Sequence, residues 1–135
     1  MRSEQLAFLS VADVKRLHFL SISKYGGSHG VRDEGLLKSA VEMPAQTFGG
    51  DLLHQTPGAI AGAYLFHLCQ NHAFLDGNKR VGFLACETFL RLNGHELTLT
   101  SEEAERTTLR VAESILSKEA LIDLIERSIR QLEES

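Results

Sequence analysis

The sequence predicts an all-α fold, a helical bundle organised around a central antiparallel helix pair joined by a polar loop. Residues 57–71 and 78–92 are apolar around most of a helical circumference, which is typical of buried helices. Shorter stretches with a helical apolar period lie on both sides of this pair. No internal repeat, linker or low-complexity run divides the chain, so residues 1–135 are predicted to form one domain.

Composition limits the classes of function. The chain has 14 Lys and Arg against 18 Asp and Glu, a net charge of −4, so no overall basic field favours direct binding to nucleic acid. No apolar run approaches the roughly 20 residues that span a bilayer, and the N-terminus lacks the layout of a signal peptide. Cys69 and Cys86 lie in apolar helical stretches and are expected in the core. We therefore expect a cytoplasmic protein without a membrane partner.

Helix-start signals define the N-terminal half. Ser10 with Asp13 predicts a helix from residue 11 to Tyr25, and the segment from Gly26 to Gly30 is predicted to be a loop. Asp33 opens a short helix over residues 34–42, which Pro44 ends. Residues 45–55 suit a loop or a short hairpin. Thr56 followed by Pro57 is a strong start signal for the first central helix.

The C-terminal part follows the same logic. Asn93-Gly94 ends the second central helix, and residues 96–99 are expected to be briefly extended. Thr100 and Glu103 form a capping box that opens a helix to about Leu116. Ser117 caps a last amphipathic helix, whose predicted apolar stripe is Leu121, Leu124, Ile125, Ile129 and Leu132.

A dense polar motif, residues 72–80, joins the two central helices and reads His-Ala-Phe-Leu-Asp-Gly-Asn-Lys-Arg. His72 follows the first central helix and is a candidate base for the proton of an attacking hydroxyl. Asp76 is a hard oxygen ligand suited to Mg²⁺, which binds through one or two carboxylates plus nucleotide phosphates. Phe74 is expected to point inward and fix the loop.

The second half of the motif is a candidate anion site. Gly77 allows close approach to a phosphate, and Asn78 lies in the first turn of a helix, where free N–H groups attract anions. Lys79 and Arg80 add positive charge beside it. A base, a metal ligand and an anion site together indicate phosphoryl or nucleotidyl transfer from a nucleotide.

These residues resemble the signature of the Fic/Doc superfamily in its Doc (death-on-curing toxin) form, with seven fixed positions matched without a gap. Residues 25–27, 30–40, 48–50 and 90–94 are also similar to Doc-type proteins. The resemblance implies a Fic/Doc-like helical bundle in which His72 is the catalytic base and Asp76 holds Mg²⁺. It implies phosphate binding by Gly77, Asn78 and Arg80, beside Lys79.

Two positions distinguish the Doc form from most Fic enzymes. Those enzymes have glycine where this chain has Lys79, and a second arginine where it has Phe83. The Doc form implies transfer of the γ-phosphoryl of ATP to a Ser/Thr hydroxyl of elongation factor Tu, which arrests translation. It also implies a toxin–antitoxin module whose antitoxin carries a disordered tail that folds onto the toxin.

The sequence also allows alternative functions and roles. Transfer of AMP to a protein hydroxyl, as in most Fic proteins, is the second hypothesis, and a non-catalytic binding module is the third. Asn71 either caps the first central helix or contacts the nucleotide. Arg32, Asp33 and Glu34 are interpreted as a helix cap with a local ion pair. Residues 48–50 resemble the flap that aligns the target in Fic proteins, or form a plain turn.

Overall fold

The computed structural model describes residues 6–133, and six helices account for most of them. They are α1 (Val11–Tyr25), α2 (Glu34–Glu42), α3 (Pro57–Asn71), α4 (Asn78–Leu92), α5 (Ser101–Ala112) and α6 (Lys118–Glu126). A 3-10 turn, Met43–Ala45, follows α2. The strands β1 (Thr47–Phe48) and β2 (Asp51–Leu52) form a small antiparallel hairpin, and β3 (His95–Leu97) pairs antiparallel with β4 (Ile129–Gln131). The predicted helical class and the central antiparallel pair, α3 and α4, are confirmed.

The helix starts are where the sequence placed them. Ser10 and Thr100 form reciprocal capping boxes with Asp13 and Glu103. The side chains of Asp33, Thr56 and Ser117 each accept a backbone N–H of the helix that follows. These short polar residues satisfy N–H groups that have no partner inside their own helix.

Helix α3 is the centre of the core. Its residues Ile60, Ala61 and Tyr64 are fully buried, and apolar residues of α1, α2, α4, α5 and α6 belong to the same cluster. Small residues allow its neighbours to approach closely: a Cβ built on Gly82 of α4 would lie 3.0 Å from the Cys69 sulfur. The central helix pair therefore packs tightly.

Two predicted helix ends are wrong. Helix α5 stops at Ala112 rather than near Leu116, because Ser114 adopts a left-handed backbone with φ 60°. The N–H groups of Ser114 and Ile115 donate to the carbonyls of Val111 and Arg110, respectively, which is the hydrogen-bond pattern of a Schellman motif. Because serine occupies the position where glycine is usual, the sequence contains no signal for this helix end.

The last helix is also shorter than predicted. It ends at Glu126, so Ile129 lies on β4 and Leu132 follows that strand, rather than both continuing a helical stripe. The backbone N–H and carbonyl groups of residues 129–131 find their hydrogen-bond partners on β3, so they do not need the partners that a longer helix would provide. Ile129 still packs against the core, which is why its apolar character matched a helical period.

One corner of the molecule collects distant parts of the chain. At the end of α4, the Asn93 side chain exchanges two hydrogen bonds with the backbone of Ala7, at 2.9 and 3.0 Å. The N–H of Leu132 donates to the carbonyl of Gly94 at 2.9 Å.

Among residues 6–133, no helix is long and apolar enough to cross a membrane.

Candidate functional site

The motif loop, residues 72–77, joins the C-terminus of α3 to the N-terminus of α4. It lies along residues 30–33, with an isolated antiparallel bridge between Val31 and Phe74. The N–H of Arg32 donates to the Ala73 carbonyl at 2.7 Å, and the N–H of Leu75 donates to the Gly30 carbonyl at 3.1 Å. The loop is therefore ordered by a segment some forty residues earlier in the chain.

His72 caps α3 in a left-handed conformation, with φ 49° and ψ 47°. Its side chain is exposed, whereas its carbonyl accepts a hydrogen bond from Arg32 Nε at 2.7 Å. Asn71, the last residue of α3, donates its side-chain N–H to the Leu36 carbonyl at 3.0 Å. Asn71 thus ties α3 to α2, a role that neither sequence interpretation anticipated.

Phe74 points inward, as predicted, and is 2% exposed. Its ring stacks on the imidazole of His18 with centroids 3.8 Å apart. Asn78 fixes the same residue from the other side, since its side chain accepts the Phe74 N–H and donates to the Phe74 carbonyl, both at 3.0 Å. The Asn78 side chain is therefore committed to closing the loop, and its backbone N–H is the group available to an anion.

Asp76 is exposed, and backbone groups orient its carboxylate. One oxygen accepts the N–H of Ser28 at 3.1 Å, and the other accepts the N–H of Gly77 at 2.9 Å. These hydrogen bonds, first from Ser28 and then from Gly77, lower the pKa of Asp76 below its usual range because they stabilise the ionised form. Asp76 is therefore an exposed, preoriented carboxylate, which fits the single-carboxylate mode in which proteins bind Mg²⁺ with nucleotide phosphates.

His18 holds the backbone of Asp76. Its Nε2 lies 2.7 Å from the Asp76 carbonyl oxygen, which can only accept, so this nitrogen carries the proton. His18 is buried, and burial is the main cause that lowers its pKa. The sequence predicts no role for His18, although its position on the apolar stripe of α1 places it against the core.

The start of α4 presents the predicted anion-binding groups. The first helical hydrogen bond runs from the Val81 N–H to the Gly77 carbonyl, so the N–H groups of Asn78, Lys79 and Arg80 precede it. Lys79 is exposed. Arg80 donates to the Gly26 carbonyl at 3.2 Å, and its guanidinium carbon lies 5.3 Å from the centre of the Tyr25 ring. Arg80 is therefore anchored beside the 26–30 loop, next to Asp76.

Gly77 is required by the fold itself. Its φ of 74° is left-handed, and a Cβ at this position would lie 3.0 Å from Ile22 Cδ1 of α1. The structure thus gives this glycine a packing reason in addition to the predicted close approach of a phosphate.

The interpretation of residues 32–34 is partly wrong. Asp33 caps α2, as expected, by accepting the Leu36 N–H at 3.0 Å. The local ion pair is not formed within the part of the chain described: Glu34 pairs with Lys15 at 2.9 Å, and Arg32 donates to the carbonyls of Asn71 and His72. Spacing along the sequence could not show a contact between α1 and α2, or between Arg32 and α3.

Residues 8–90, more than half of the chain, match the Fic/DOC family. The chain therefore belongs to the Fic/DOC family.

Two relatives match more specifically. One, named Toxin Doc, is from Mycolicibacterium smegmatis and is 44% identical over 73 residues, covering 54% of this chain and 56% of that protein. The match thus spans only about half the length of that relative. A second, named Protein kinase doc, is from Escherichia phage P1 and is 27% identical over 120 residues, covering 88% of this chain and 93% of that protein.

Proposed function

We propose that the chain is the toxin of a type II toxin–antitoxin module, a protein kinase that phosphorylates a Ser/Thr hydroxyl of a translation factor resembling elongation factor Tu. The observation that carries the proposal is that the motif loop and the first turn of α4 present His72, Asp76 and three helix-start N–H groups together. The names of the two relatives, Toxin Doc and Protein kinase doc, support the toxin and kinase parts of this assignment.

In the proposed reaction, His72 accepts the proton of the target hydroxyl. The hydroxyl oxygen then bonds to the γ-phosphorus of ATP as the bond to the β–γ bridging oxygen breaks, and ADP leaves. Because such a transition state needs little covalent help from the protein, positioning and charge neutralisation supply most of the rate enhancement.

Asp76 would hold Mg²⁺, whose charge offsets that of the phosphates when it is bound. The backbone N–H groups of Asn78, Lys79 and Arg80 and the side-chain cations of Lys79 and Arg80 would hold the triphosphate. Gly77, whose own N–H donates to Asp76, would allow the phosphates to approach closely. Lys79 favours γ-phosphoryl transfer over AMP transfer, because it replaces the glycine of most Fic enzymes in the phosphate site.

The proposal includes partners. A cognate antitoxin with a disordered tail would restrain the toxin, and elongation factor Tu in the cytoplasm would be the target. Net negative charge gives no support for a direct nucleic-acid partner.

Intact-mass spectrometry of purified elongation factor Tu, incubated with this protein, Mg²⁺ and ATP, tests the proposal. We expect the target to gain one phosphate with the wild type and none with His72→Ala. His95→Ala, which removes a histidine at the far end of α4, is the matched control and should retain activity. Growth arrest on expression should likewise be lost only with His72→Ala.

Other outcomes lead to the other hypotheses. A gain of one AMP would replace the kinase with an AMP transferase at the same site. Growth arrest by a His72→Ala protein, with no modified target, would favour the non-catalytic binding module and refute the proposal.

A further inference from the structure

Arg32 makes the most direct side-chain contact with the backbone of the candidate base. Its Nε donates to the His72 carbonyl at 2.7 Å, and its second terminal nitrogen lies 3.4 Å from the Asn71 carbonyl. These carbonyls belong to the C-terminal end of α3, where helical partners run out and the helix dipole is negative. A guanidinium, planar and always charged, suits both features.

The conformation that Arg32 contacts is unusual. His72 has a left-handed backbone although it carries a Cβ, a conformation that is uncommon for residues other than glycine. Such a conformation persists only where the surroundings fix it. The carbonyl of Ala73, the next residue, is also fixed, because it accepts the N–H groups of Arg32 and Asp33 at 2.7 and 3.1 Å.

The acidic neighbours of Arg32 are engaged elsewhere. Glu34 binds Lys15 of α1, and Asp33 accepts the Leu36 N–H at the start of α2. The guanidinium is therefore directed at the end of α3 rather than at a local carboxylate.

From these contacts we infer that Arg32 is the positioning residue for His72: it sets the backbone from which the imidazole reaches the substrate hydroxyl. Arg32 transfers no proton itself, since a guanidinium stays charged in proteins. This inference rests on the proposed function in one respect, the identity of His72 as the base. The effect of Arg32 on the backbone of His72 does not depend on the proposed function.

Nuclear magnetic resonance tests that effect without any activity assay. The Cα chemical shift and the amide–Hα coupling of His72 report its φ angle in the wild type, Arg32→Ala and Arg32→Lys. We expect Arg32→Ala to move both values away from those of a left-handed residue. Arg32→Lys should shift them less, because an ammonium is a point charge and cannot offer a planar fork.

Arg127→Ala is the matched control. Arg127 also donates its Nε to a carbonyl at a helix C-terminus, that of Asp123 in α6, at 3.3 Å. His72 should be unchanged in this variant. If the His72 values in Arg32→Ala equal those of the wild type, the inference is overturned.

Kinetic measurements distinguish a role of Arg32 in positioning His72 from a role in binding the nucleotide. With the phosphorylated target as readout, Arg32→Ala should lower kcat about 10- to 100-fold, the order expected for a misplaced catalytic group. KM for ATP and the calorimetric Kd for Mg·ATP should stay the same, since Arg32 contacts backbone and not the start of α4. A raised Kd with unchanged kcat would make Arg32 a nucleotide ligand instead.

The magnetic resonance and kinetic experiments also distinguish failure of the proposed kinase function from failure of the role inferred for Arg32. If the wild type forms no phosphorylated target, the kinase assignment is refuted, and the magnetic resonance result still decides whether Arg32 positions the His72 backbone. Arg32→Lys keeps the test available if Arg32→Ala fails to fold.

Discussion

At the scale of the residue, the position of the Asp76 carboxylate depends on the absence of a side chain at Gly27. A Cβ on Gly27 would lie 2.7 Å from an oxygen of the Asp76 carboxylate. We expect Gly27→Ala to displace that carboxylate from its hydrogen bond with the Ser28 N–H. The Mg²⁺ concentration needed for half-maximal phosphoryl transfer should rise about tenfold or more, because a shift of this size misplaces the ligand.

Gly26→Ala is the matched control for Gly27→Ala. Both glycines have positive φ, 91° and 113°, so both substitutions carry backbone strain, but a Cβ on Gly26 meets nothing within 4 Å. Mg²⁺ dependence should therefore change much more in Gly27→Ala, and calorimetry of Mg·ATP binding should show the same order. An equal effect in both variants would mean that strain in the loop, and not contact with Asp76, is responsible.

The candidate chemical groups of the motif are predictable from the sequence because these polar side chains are nearly consecutive. The residues that orient them are not predictable in this way. His18 and Arg32 reach the motif from 58 and 40 positions away, and the contacts are made to backbone carbonyls, which leave no pairing signal in a sequence. The predicted phosphate binding by Asn78 stays a prediction for its backbone N–H, because its side chain binds the Phe74 backbone, a contact that the sequence could not show.

At the scale of the element, the contact between α3 and α4 depends on Gly82. A Cβ there would lie 3.0 Å from the Cys69 sulfur and 3.2 Å from the Leu65 carbonyl oxygen. Gly82→Ala gains up to about 1 kcal/mol of helix propensity but overpacks a core contact, which typically costs about 1–3 kcal/mol. We expect a net decrease of about 1 kcal/mol in the free energy of unfolding, measured with urea.

Gly35→Ala provides the comparison on an exposed part of α2. Its new Cβ would meet only the Asp33 carboxylate oxygen, at 3.3 Å, so propensity should dominate and stability should be equal or higher. Gly82→Ala proving as stable as Gly35→Ala would show that the central pair is looser than its geometry indicates.

Helix starts were predictable because a capping side chain is a local signal, present in the sequence at Ser10, Thr56 and Thr100. Helix ends were less so. Helix α5 ends because Ser114 adopts a left-handed conformation, at a position where glycine is the usual residue. Helix α6 ends shortly before β4, which pairs with β3, some thirty residues earlier in the chain. The second of these is a tertiary pairing, which no local pattern encodes.

At the scale of the whole molecule, stability should depend on pH through histidines kept neutral by the fold. Burial lowers the pKa of His18, His54 and His67, the last to about 4 from an ordinary 6.5. The unfolded chain therefore binds protons below about pH 6.5 that the folded protein does not, so stability falls as pH is lowered. For His67 alone the loss between pH 7 and pH 5 should be about 1–2 kcal/mol.

Urea unfolding at a series of pH values, in the wild type and His67→Gln, measures this contribution. The variant should lose less stability on acidification, by that amount, because glutamine does not titrate. A parallel loss in both proteins would mean that His67 is protonated equally easily in the folded and unfolded states.

From the corner formed by Ala7, Asn93 and Leu132 we expect that the order of the chain can be changed with the fold retained, which circular dichroism and urea unfolding would measure. Residues 7 and 132 are both hydrogen-bonded at the C-terminal end of α4, whereas the motif loop lies at its N-terminal end, about 22 Å away along the helix axis. A short linker joining these two positions, with the chain reopened at the exposed Gly49-Gly50 turn, would give a circular permutant. In that permutant α3, the motif loop and α4 would remain one uninterrupted segment.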